Sequence, residues 1–254
     1  MLYEIFVVPL QYQNKQMFNL LKEREFIMKT QIKNWLKQYN IKNYTINDDC
    51  TIDVDGNVFL CEYGHVEFPP FIQFGTVTGY FSCSENELVS LRGCPKKVGR
   101  SFYCYQNNLT SLEGAPEIVV GDFDCSFNQL TTLKGAPKEV GDNFNCGDNN
   151  LIDLKWAPEV VGGLFKCCCN KLTTLEGAPR EVGGGFLCHY NQLTSLEGAP
   201  KNVGGDFNCS NNKLTTLKGA PEEVGWNFDC KYNTTQFTKS DVNKVCKVIN
   251  NIYV

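Results

Sequence analysis

Apolar and polar positions recur in this chain with a period of 21 residues from Phe81 to Asn233. The tripeptide Phe-x-Cys occurs eight times at this spacing, and the first seven copies are each followed by Asn, Leu, Leu, Pro and Val at fixed distances. A fixed period of this length indicates one supersecondary unit stacked on copies of itself, since a single short unit cannot bury its apolar face alone. The chain is therefore predicted to be a solenoid.

Each Phe-x-Cys tripeptide is predicted to be a short strand. Side chains alternate across a strand, so Phe123 and Cys125 share one face while Asp122, Asp124 and Ser126 share the other. We expect Phe and Cys to face the core and the following Asn to bond the backbone of the neighbouring turn. The Pro and the Gly-rich segment are expected to return the chain without a full helix.

Both ends of the repeat array are expected to carry caps. At the N-terminal end, the pattern predicts a helix over residues 31–39 with Thr30 as its N-cap, a further helix over 14–26, and an extended strand or loose tail over 3–10. Residues 43–60 are predicted to form two strands around Asp55-Gly56, with Phe59-Leu60-Cys61 as a degenerate first repeat. At the other end, Thr238 or Ser240 is expected to cap a short helix through Val245, and residues 248–254 a final strand.

These elements divide the chain into three predicted parts. Residues 1–60 are an N-terminal extension with a helix and hairpin cap, residues 61–237 the solenoid, and residues 238–254 a C-terminal cap. Codons for the stretch at residues 22–25 are compatible with a purine-rich ribosome-binding sequence. We therefore hypothesise that natural translation begins at Met28 and that residues 1–27 are dispensable.

The repeat unit resembles the leucine-rich repeat, with its strand, turn asparagine and returning segment. The motif Leu-Thr-Ser-Leu-Glu-Gly-Ala-Pro at residues 109–116 and 193–200 is similar to the motif of repeat proteins encoded by tailed bacteriophages and some bacteria. The resemblance covers about residues 28–254 and implies an α/β repeat solenoid with one parallel sheet of short strands. It implies little about function, because one fold hosts many functions.

Composition restricts the partners and the compartment. The 24 basic and 28 acidic residues give a net charge of −4, which argues against a non-specific grip on nucleic acid. No run of about 18 apolar residues is present to cross a membrane. The chain has fourteen cysteines and no signal-peptide pattern, so we interpret the cysteines as reduced thiols. Those of the repeat are expected to be buried and to act as small hydrophobic residues. Reduced thiols favour a location in the cytoplasm, or in the host cytoplasm for a phage protein.

Recognition is expected to depend on the positions that vary between repeats, since the core positions are fixed. Aromatic and apolar residues are concentrated in one predicted arc of the strand face, and tyrosines there are typical binding anchors. Scatter of tyrosines over a tolerant surface is the alternative interpretation. The candidate partner-binding residues are Tyr103, Tyr105, Phe127, Leu164, Lys166, Leu187, His189, Tyr190 and Tyr232. We expect a protein partner, with a sugar or nucleotide ligand or a structural spacer role as alternatives.

No catalytic set, cofactor or metal site is predicted. His65 and His189, the two histidines, are not in a recognisable arrangement with a nucleophile and an orienting acid. The run Cys167-Cys168-Cys169 with His189 one period later suggests a metal site, but a tetrahedral zinc ion needs four ligands and no fourth is evident. Cys168 and Cys169 are therefore expected to be exposed free thiols. Trp156 replaces the Gly found at 114 and 135, which indicates a local packing irregularity.

Overall fold

The structure of the protein is a computed structural model that describes residues 10–254. Its main feature is a parallel β-solenoid in which every 21-residue turn contributes two short strands, one to each of two parallel sheets. We call them the phenylalanine sheet, which contains the Phe-x-Cys tripeptides, and the valine sheet, which contains the Val column. A single sheet was expected from the sequence, so the valine sheet is a correction.

The valine sheet has 11 strands and is parallel except for its first pair. In spatial order they are β1 (Tyr44–Ile46), β2 (Ile52–Val54), β4 (Phe74–Val77), β6 (Lys97–Val98), β8 (Ile118–Val119), β10 (Glu139–Val140), β12 (Val160–Val161), β14 (Glu181–Val182), β16 (Asn202–Val203), β18 (Glu223–Val224) and β20 (Lys247–Val248).

The phenylalanine sheet has ten strands. In chain order they are β3 (Val58–Phe59), β5 (Phe81–Ser82), β7 (Phe102–Tyr103), β9 (Phe123–Asp124), β11 (Phe144–Asn145), β13 (Phe165–Lys166), β15 (Phe186–Leu187), β17 (Phe207–Asn208), β19 (Phe228–Asp229) and β21 (Ile252–Tyr253). The register places each Phe opposite the next Phe, as for Phe144 and Phe165.

The core lies between the two sheets and consists of stacked columns of one residue type. The eight tripeptide Phe side chains are fully buried, and successive rings lie 5.2–5.7 Å apart between centroids. The tripeptide Cys, both Leu columns and the Val column are also buried. Each buried Phe contributes about 2–3 kcal/mol by area alone, so a turn is stabilised mainly by its two neighbours.

The predicted asparagine ladder is present. Asn149 donates from Nδ2 to the carbonyl oxygens of Cys125 at 3.1 Å and Cys146 at 3.2 Å. Its Oδ1 accepts from the backbone N–H of Leu130 at 2.9 Å. The same pattern repeats from Asn107 to Asn212, so each Asn satisfies backbone groups that no strand reaches.

The N-terminal helix is longer than the sequence predicted. A single helix, α1, runs from Leu10 to Gln38 in place of two, and the segment expected to be extended, 3–10, falls outside the described residues except for Leu10. Thr30 is not an N-cap: it lies inside α1 and its Oγ1 donates to the Phe26 carbonyl at 2.8 Å. The helix packs on the first turn through Ile32, Trp35 and Leu36.

The first turn of the solenoid also differs from the sequence prediction. The hairpin is formed by β1 and β2, and the chain reverses between Asn47 and Thr51. Asp55-Gly56 is not its turn but the corner where the chain passes from the valine sheet to β3. In β3, Val58 pairs with Phe81, so Val58 and the buried Leu60 take the Phe and Cys positions that the sequence assigned to Phe59 and Cys61.

The C-terminal end closes both sheets. Thr238 caps the short helix α2 (Lys239–Asn243) through a capping box with Asp241, as one of the two predicted caps. The predicted final strand is two strands, β20 and β21, which complete one more turn. No helix of residues 10–254 is long and apolar enough to span a bilayer.

Candidate functional site

The outer face of the phenylalanine sheet is the surface that carries most of the predicted recognition residues. We call it the strand face and define it by the residue before each Phe, the residue between Phe and Cys and the residue after Cys. The tripeptide positions from Tyr103 to Asp229 are half-buried, which is the exposure of side chains that stand side by side on a flat sheet. Because ten strands at about 4.8 Å spacing form this sheet, the face is about 43 Å long.

Three tyrosines form a cluster at the N-terminal end of the strand face. Tyr80 stacks on Tyr103 with ring centroids 6.4 Å apart and an interplanar angle of 11°, and Tyr103 meets Tyr105 edge-on at 6.4 Å. Arg100 lies over the Tyr80 ring at 5.5 Å. We call these three tyrosines the tyrosine cluster. Sequence reasoning selected Tyr103 and Tyr105 but left out Tyr80, although its position one strand earlier was already visible in the repeat.

Acidic side chains orient the cluster. Tyr103 Oη donates to Asp122 Oδ2 at 3.4 Å, and Tyr105 Oη donates to Glu85 Oε1 at 3.3 Å. Burial raises the pKa of both hydroxyls, and the neighbouring carboxylates raise it further. Both tyrosines therefore stay protonated and act as hydrogen-bond donors around neutral pH.

The middle of the strand face is polar, and its side chains bond one another between turns. Asn143 donates to Asp122 at 2.8 Å and accepts from the Leu164 backbone N–H at 2.7 Å. Asn145 donates to Asp124 at 3.0 Å. These groups are already satisfied, so they are less available to a partner than the sequence alone suggests. They separate the tyrosine cluster from the apolar residues further along.

Leu164, Lys166, Leu187 and His189 lie together in adjacent turns beyond the polar stretch. Lys166 and Leu187 pair directly across β13 and β15, and the His189 ring lies 5.7 Å from that of Tyr190. We call Leu164, Lys166, Leu187, His189 and Tyr190 the central patch. The structure thus brings together five of the nine candidate residues in this patch and two more, Tyr103 and Tyr105, in the tyrosine cluster.

Phe127, Tyr190 and Tyr232 occupy the position two residues after Cys, where the chain leaves the sheet. Their backbone is left-handed, with φ of 52°, 53° and 57°, and their side chains are 57%, 58% and 76% exposed. Three turns separate Phe127 from Tyr190 and two separate Tyr190 from Tyr232, or about 14 and 10 Å at the strand spacing. Phe127 and Tyr232 therefore lie apart from the central patch as isolated exposed rings.

A second chemical grouping lies at the edge of the strand face. A carboxylate oxygen of Asp148 and the sulfur atoms of Cys168 and Cys169 are all within 4.8 Å of one another. Cys168 is buried, contrary to the expectation of two exposed thiols, whereas Cys169 is exposed. Asp148 was not recognised in the sequence, yet it stands one period before Cys169 and so had to be its neighbour in the stack.

Burial controls the proton affinity of this grouping. It raises the pKa of Cys168 to about 12, with a further contribution from Cys169. The pKa of Cys169 is also raised, first by burial and then by the Asp148 carboxylate. The pKa of His189 is lowered by burial and by Lys166. With no cation bound, both thiols and a neutral imidazole are therefore the stable forms at neutral pH.

Several surface cavities are present, mostly away from the candidate residues. One of about 740 Å³ lies beside Trp156 and Pro95, and one of about 560 Å³ lies on the valine sheet around Val119 and Val140. A cavity of about 360 Å³ at the C-terminal end is lined by Lys231 and Tyr232. Of the nine candidate residues, Tyr232 lines one of these three cavities.

Comparison with known proteins gives no match to a family model, to a curated protein or to a solved structure. The functional interpretation therefore depends on the geometry of this chain.

Proposed function

We propose that this protein is a non-catalytic solenoid that binds a protein partner through the strand face. The observation that carries the proposal is the tyrosine cluster, in which three half-buried aromatic rings are held by a rigid sheet and flanked by Arg100, Glu85 and Asp122. Tyrosine gives a large contact area at a low cost in side-chain entropy, and rings already fixed lose little more on binding.

The dimensions of the strand face fit such a partner. A standard interface buries about 800 Å² on each side, so a strip about 43 Å long has to be about 20 Å wide, a width that includes the loops beside the two-residue strands. The central patch supplies a second anchoring area on the same face, with Leu164 and Leu187 as apolar contacts and Lys166 as a cation. The polar stretch between the two areas would be covered by the partner and exclude water there, while contributing little to the affinity.

The sequence resemblance extends this proposal. We assign the repeat to the short leucine-rich type and the protein to the cytoplasm. If the gene belongs to a phage, the compartment is the host cytoplasm and the partner a host defence or regulatory protein. The repeat motif supports the repeat type, and the 14 free thiols support the compartment.

A small-ligand function is favoured by one observation, the cavity of about 360 Å³ beside Lys231 and Tyr232, which is large enough for a small ligand. This alternative predicts that Tyr232→Ala abolishes binding of the small ligand, while substitutions in the tyrosine cluster leave it unchanged. The protein-binding proposal predicts that substitutions in the tyrosine cluster abolish binding of the partner, while Tyr232→Ala leaves it unchanged.

Affinity purification from the cells that naturally produce the protein tests the proposal. The face variant is Tyr103→Ala/Tyr105→Ala/Tyr190→Ala, and the matched control is Ile118→Ala/Val120→Ala/Trp226→Ala, which removes exposed apolar groups from outside the strand face. We expect one or more proteins to be recovered with the wild type and the control but lost with the face variant. Equal recovery with both variants, or loss with the control alone, would contradict the proposal.

A further inference from the structure

Three potential metal ligands from two consecutive turns meet at the edge of the strand face. The Asp148 carboxylate and the Cys168 and Cys169 sulfurs lie within 4.8 Å of one another. Asp148 and Cys169 hold the same position in successive turns, and both have the left-handed backbone of that position, with φ of 55° and 56°. The Asp148 N–H donates to the Cys168 carbonyl at 3.0 Å, so the backbone fixes the two turns in register.

Gly147 allows the Cys168 thiol to lie close to the preceding turn. A Cβ atom at residue 147 would lie only 3.3 Å from Cys168 Sγ, whereas the same position in other turns holds Ser, Tyr, Cys, His or Lys. The turn that supplies Asp148 therefore has no side chain between its backbone and the buried sulfur.

His189 supplies an independent indication of a ligand. It follows Cys168 by one period, and the Cys169 N–H donates to its carbonyl at 3.1 Å. Its Nδ1 is buried and has no hydrogen-bond partner among the described residues. A buried nitrogen without a partner is costly unless something binds to it.

We propose that Asp148, Cys168, Cys169 and His189 form a binding site for a thiophilic divalent cation of the zinc class. Two sulfurs, one nitrogen and one carboxylate oxygen are a ligand set that zinc accepts in tetrahedral geometry. Two thiolates on one zinc ion are about 3.8 Å apart, because each Zn–S bond is about 2.3 Å long. The three donors thus need to approach one another by at most about 1 Å. The His189 nitrogens do not lie within 4.8 Å of all three, so a change in the His189 side-chain conformation is needed to bring in the fourth donor.

The ion would join three consecutive turns, those of Asp148, Cys168 and His189. It lies beside the central patch, since His189 belongs to both. The inference does not depend on a protein partner, because it rests on the donor atoms alone.

Cobalt titration of the full-length protein, kept reduced and first treated with a chelator, tests the site. Cobalt(II) bound by thiolates gives a sulfur-to-metal charge-transfer absorption in the near ultraviolet, and zinc should remove this absorption by displacing cobalt. We expect saturation at one cobalt per chain in the wild type. Zinc should also protect Cys169 from alkylation, as measured by mass spectrometry.

Single substitutions identify the ligands. Asp148→Asn and Cys169→Ser are expected to weaken cobalt binding by at least about tenfold, as even changes to outer-shell residues do, and His189→Gln should weaken it as well. Both Asp148 and Cys169 lie at the edge of the solenoid, so the variants should keep the wild-type circular dichroism. The matched control is Cys61→Ser, which removes a partly buried thiol elsewhere and should leave binding unchanged.

Absence of the charge-transfer band in the wild type would overturn the proposal. It would also be overturned if Asp148→Asn and Cys169→Ser bound cobalt with wild-type affinity, or if Cys61→Ser abolished binding. Unchanged affinity in His189→Gln would contradict the assignment of the fourth ligand.

Discussion

Asn149 Nδ2 lies 3.1 Å from the carbonyl oxygen of Cys125, 24 residues earlier in the chain, and this hydrogen bond joins two turns of the solenoid. Through its Oδ1, the same side chain accepts from the Leu130 N–H at 2.9 Å. Both bonds are buried, so neither backbone group can form a hydrogen bond with water if the amide is removed.

We expect Asn149→Ala to lower the free energy of unfolding by at least about 2 kcal/mol, because several buried backbone groups lose their partner at about 1–3 kcal/mol each. Asn150→Ala is the matched control, since Asn150 bonds the neighbouring turn through its backbone N–H, which the substitution keeps. Urea denaturation measures both. Equal stability of the two variants would show that the ladder does not stabilise the stack.

Trp156 adopts a backbone conformation that the repeat normally reserves for glycine. Its φ is 70°, and the glycines at the same position of other turns, Gly114 and Gly135 among them, have φ of 83–96°. The side chain is 66% exposed, so it does not pack into the core. The sequence predicted a packing irregularity here, and the structure shows a strained residue on the surface.

Trp156→Gly is expected to raise the free energy of unfolding by about 1 kcal/mol, because glycine adopts positive φ without steric cost. Trp226→Gly is the control, as Trp226 is similarly exposed at 62% but is not among the residues of positive φ. It should be slightly destabilising, since glycine in ordinary backbone loses more entropy on folding. Thermal unfolding distinguishes the two; stabilisation by both substitutions would contradict the backbone explanation.

The period in the sequence was sufficient to predict the Phe, Cys, Leu and Val columns of the core, the asparagine ladder and the alignment of Val77 with Val98. It did not predict the valine sheet. Strands such as Lys97–Val98 have two residues and adjoin glycine, so no alternation of polar and apolar residues can be recognised in them.

The prediction that a helix begins after Thr30 was wrong. Thr favours the N-cap position, but the chain from Leu10 to Gln38 contains no Gly or Pro to end a helix. Asp148 belongs to the column of Cys169, whereas His189 belongs to the column of Cys168, so one column of the repeat does not contain all four residues. The tyrosine cluster was predictable in part, since register fixes which residues are neighbours but not how their rings stack.

The stretch of α1 from Met17 to Met28 lies free of the solenoid. Residues 17–28 are all exposed, and burial begins with Lys29 and Ile32. Lys29 forms a salt bridge with Glu25 at 2.7 Å, but an exposed pair of this kind stabilises a fold little. The stretch from Met17 to Met28 therefore adds little to the stability of the fold.

Deletion of residues 1–27 is expected to change the free energy of unfolding by less than about 1 kcal/mol. Trp35→Ala in the full-length chain should instead cost about 3–5 kcal/mol, because Trp35 is buried against Phe68 and Phe74. Chemical denaturation compares the two. A large loss of stability on deletion would show that residues 1–27 contribute to the fold.

The thiols are expected to differ sharply in reactivity. All 14 cysteines are free, and eleven are buried, Cys50 and Cys61 are partly buried and Cys169 is exposed. Burial raises the pKa of Cys104 and Cys125 well above the usual range, and raises that of Cys246 to about 11. The thiolate is the reactive form, so these thiols are both shielded and protonated at pH 8.

Alkylation of the native protein with iodoacetamide at pH 8, in the presence of a chelator, should therefore modify Cys169 first, then Cys50 and Cys61, and leave the eleven buried thiols intact. In urea all 14 should react. Mass spectrometry of the intact protein counts the adducts, and Cys169→Ser should remove one of them. Rapid modification of Cys104 or Cys125 in the native protein would contradict a closed core, because a reagent reaches those sulfurs only when neighbouring turns separate.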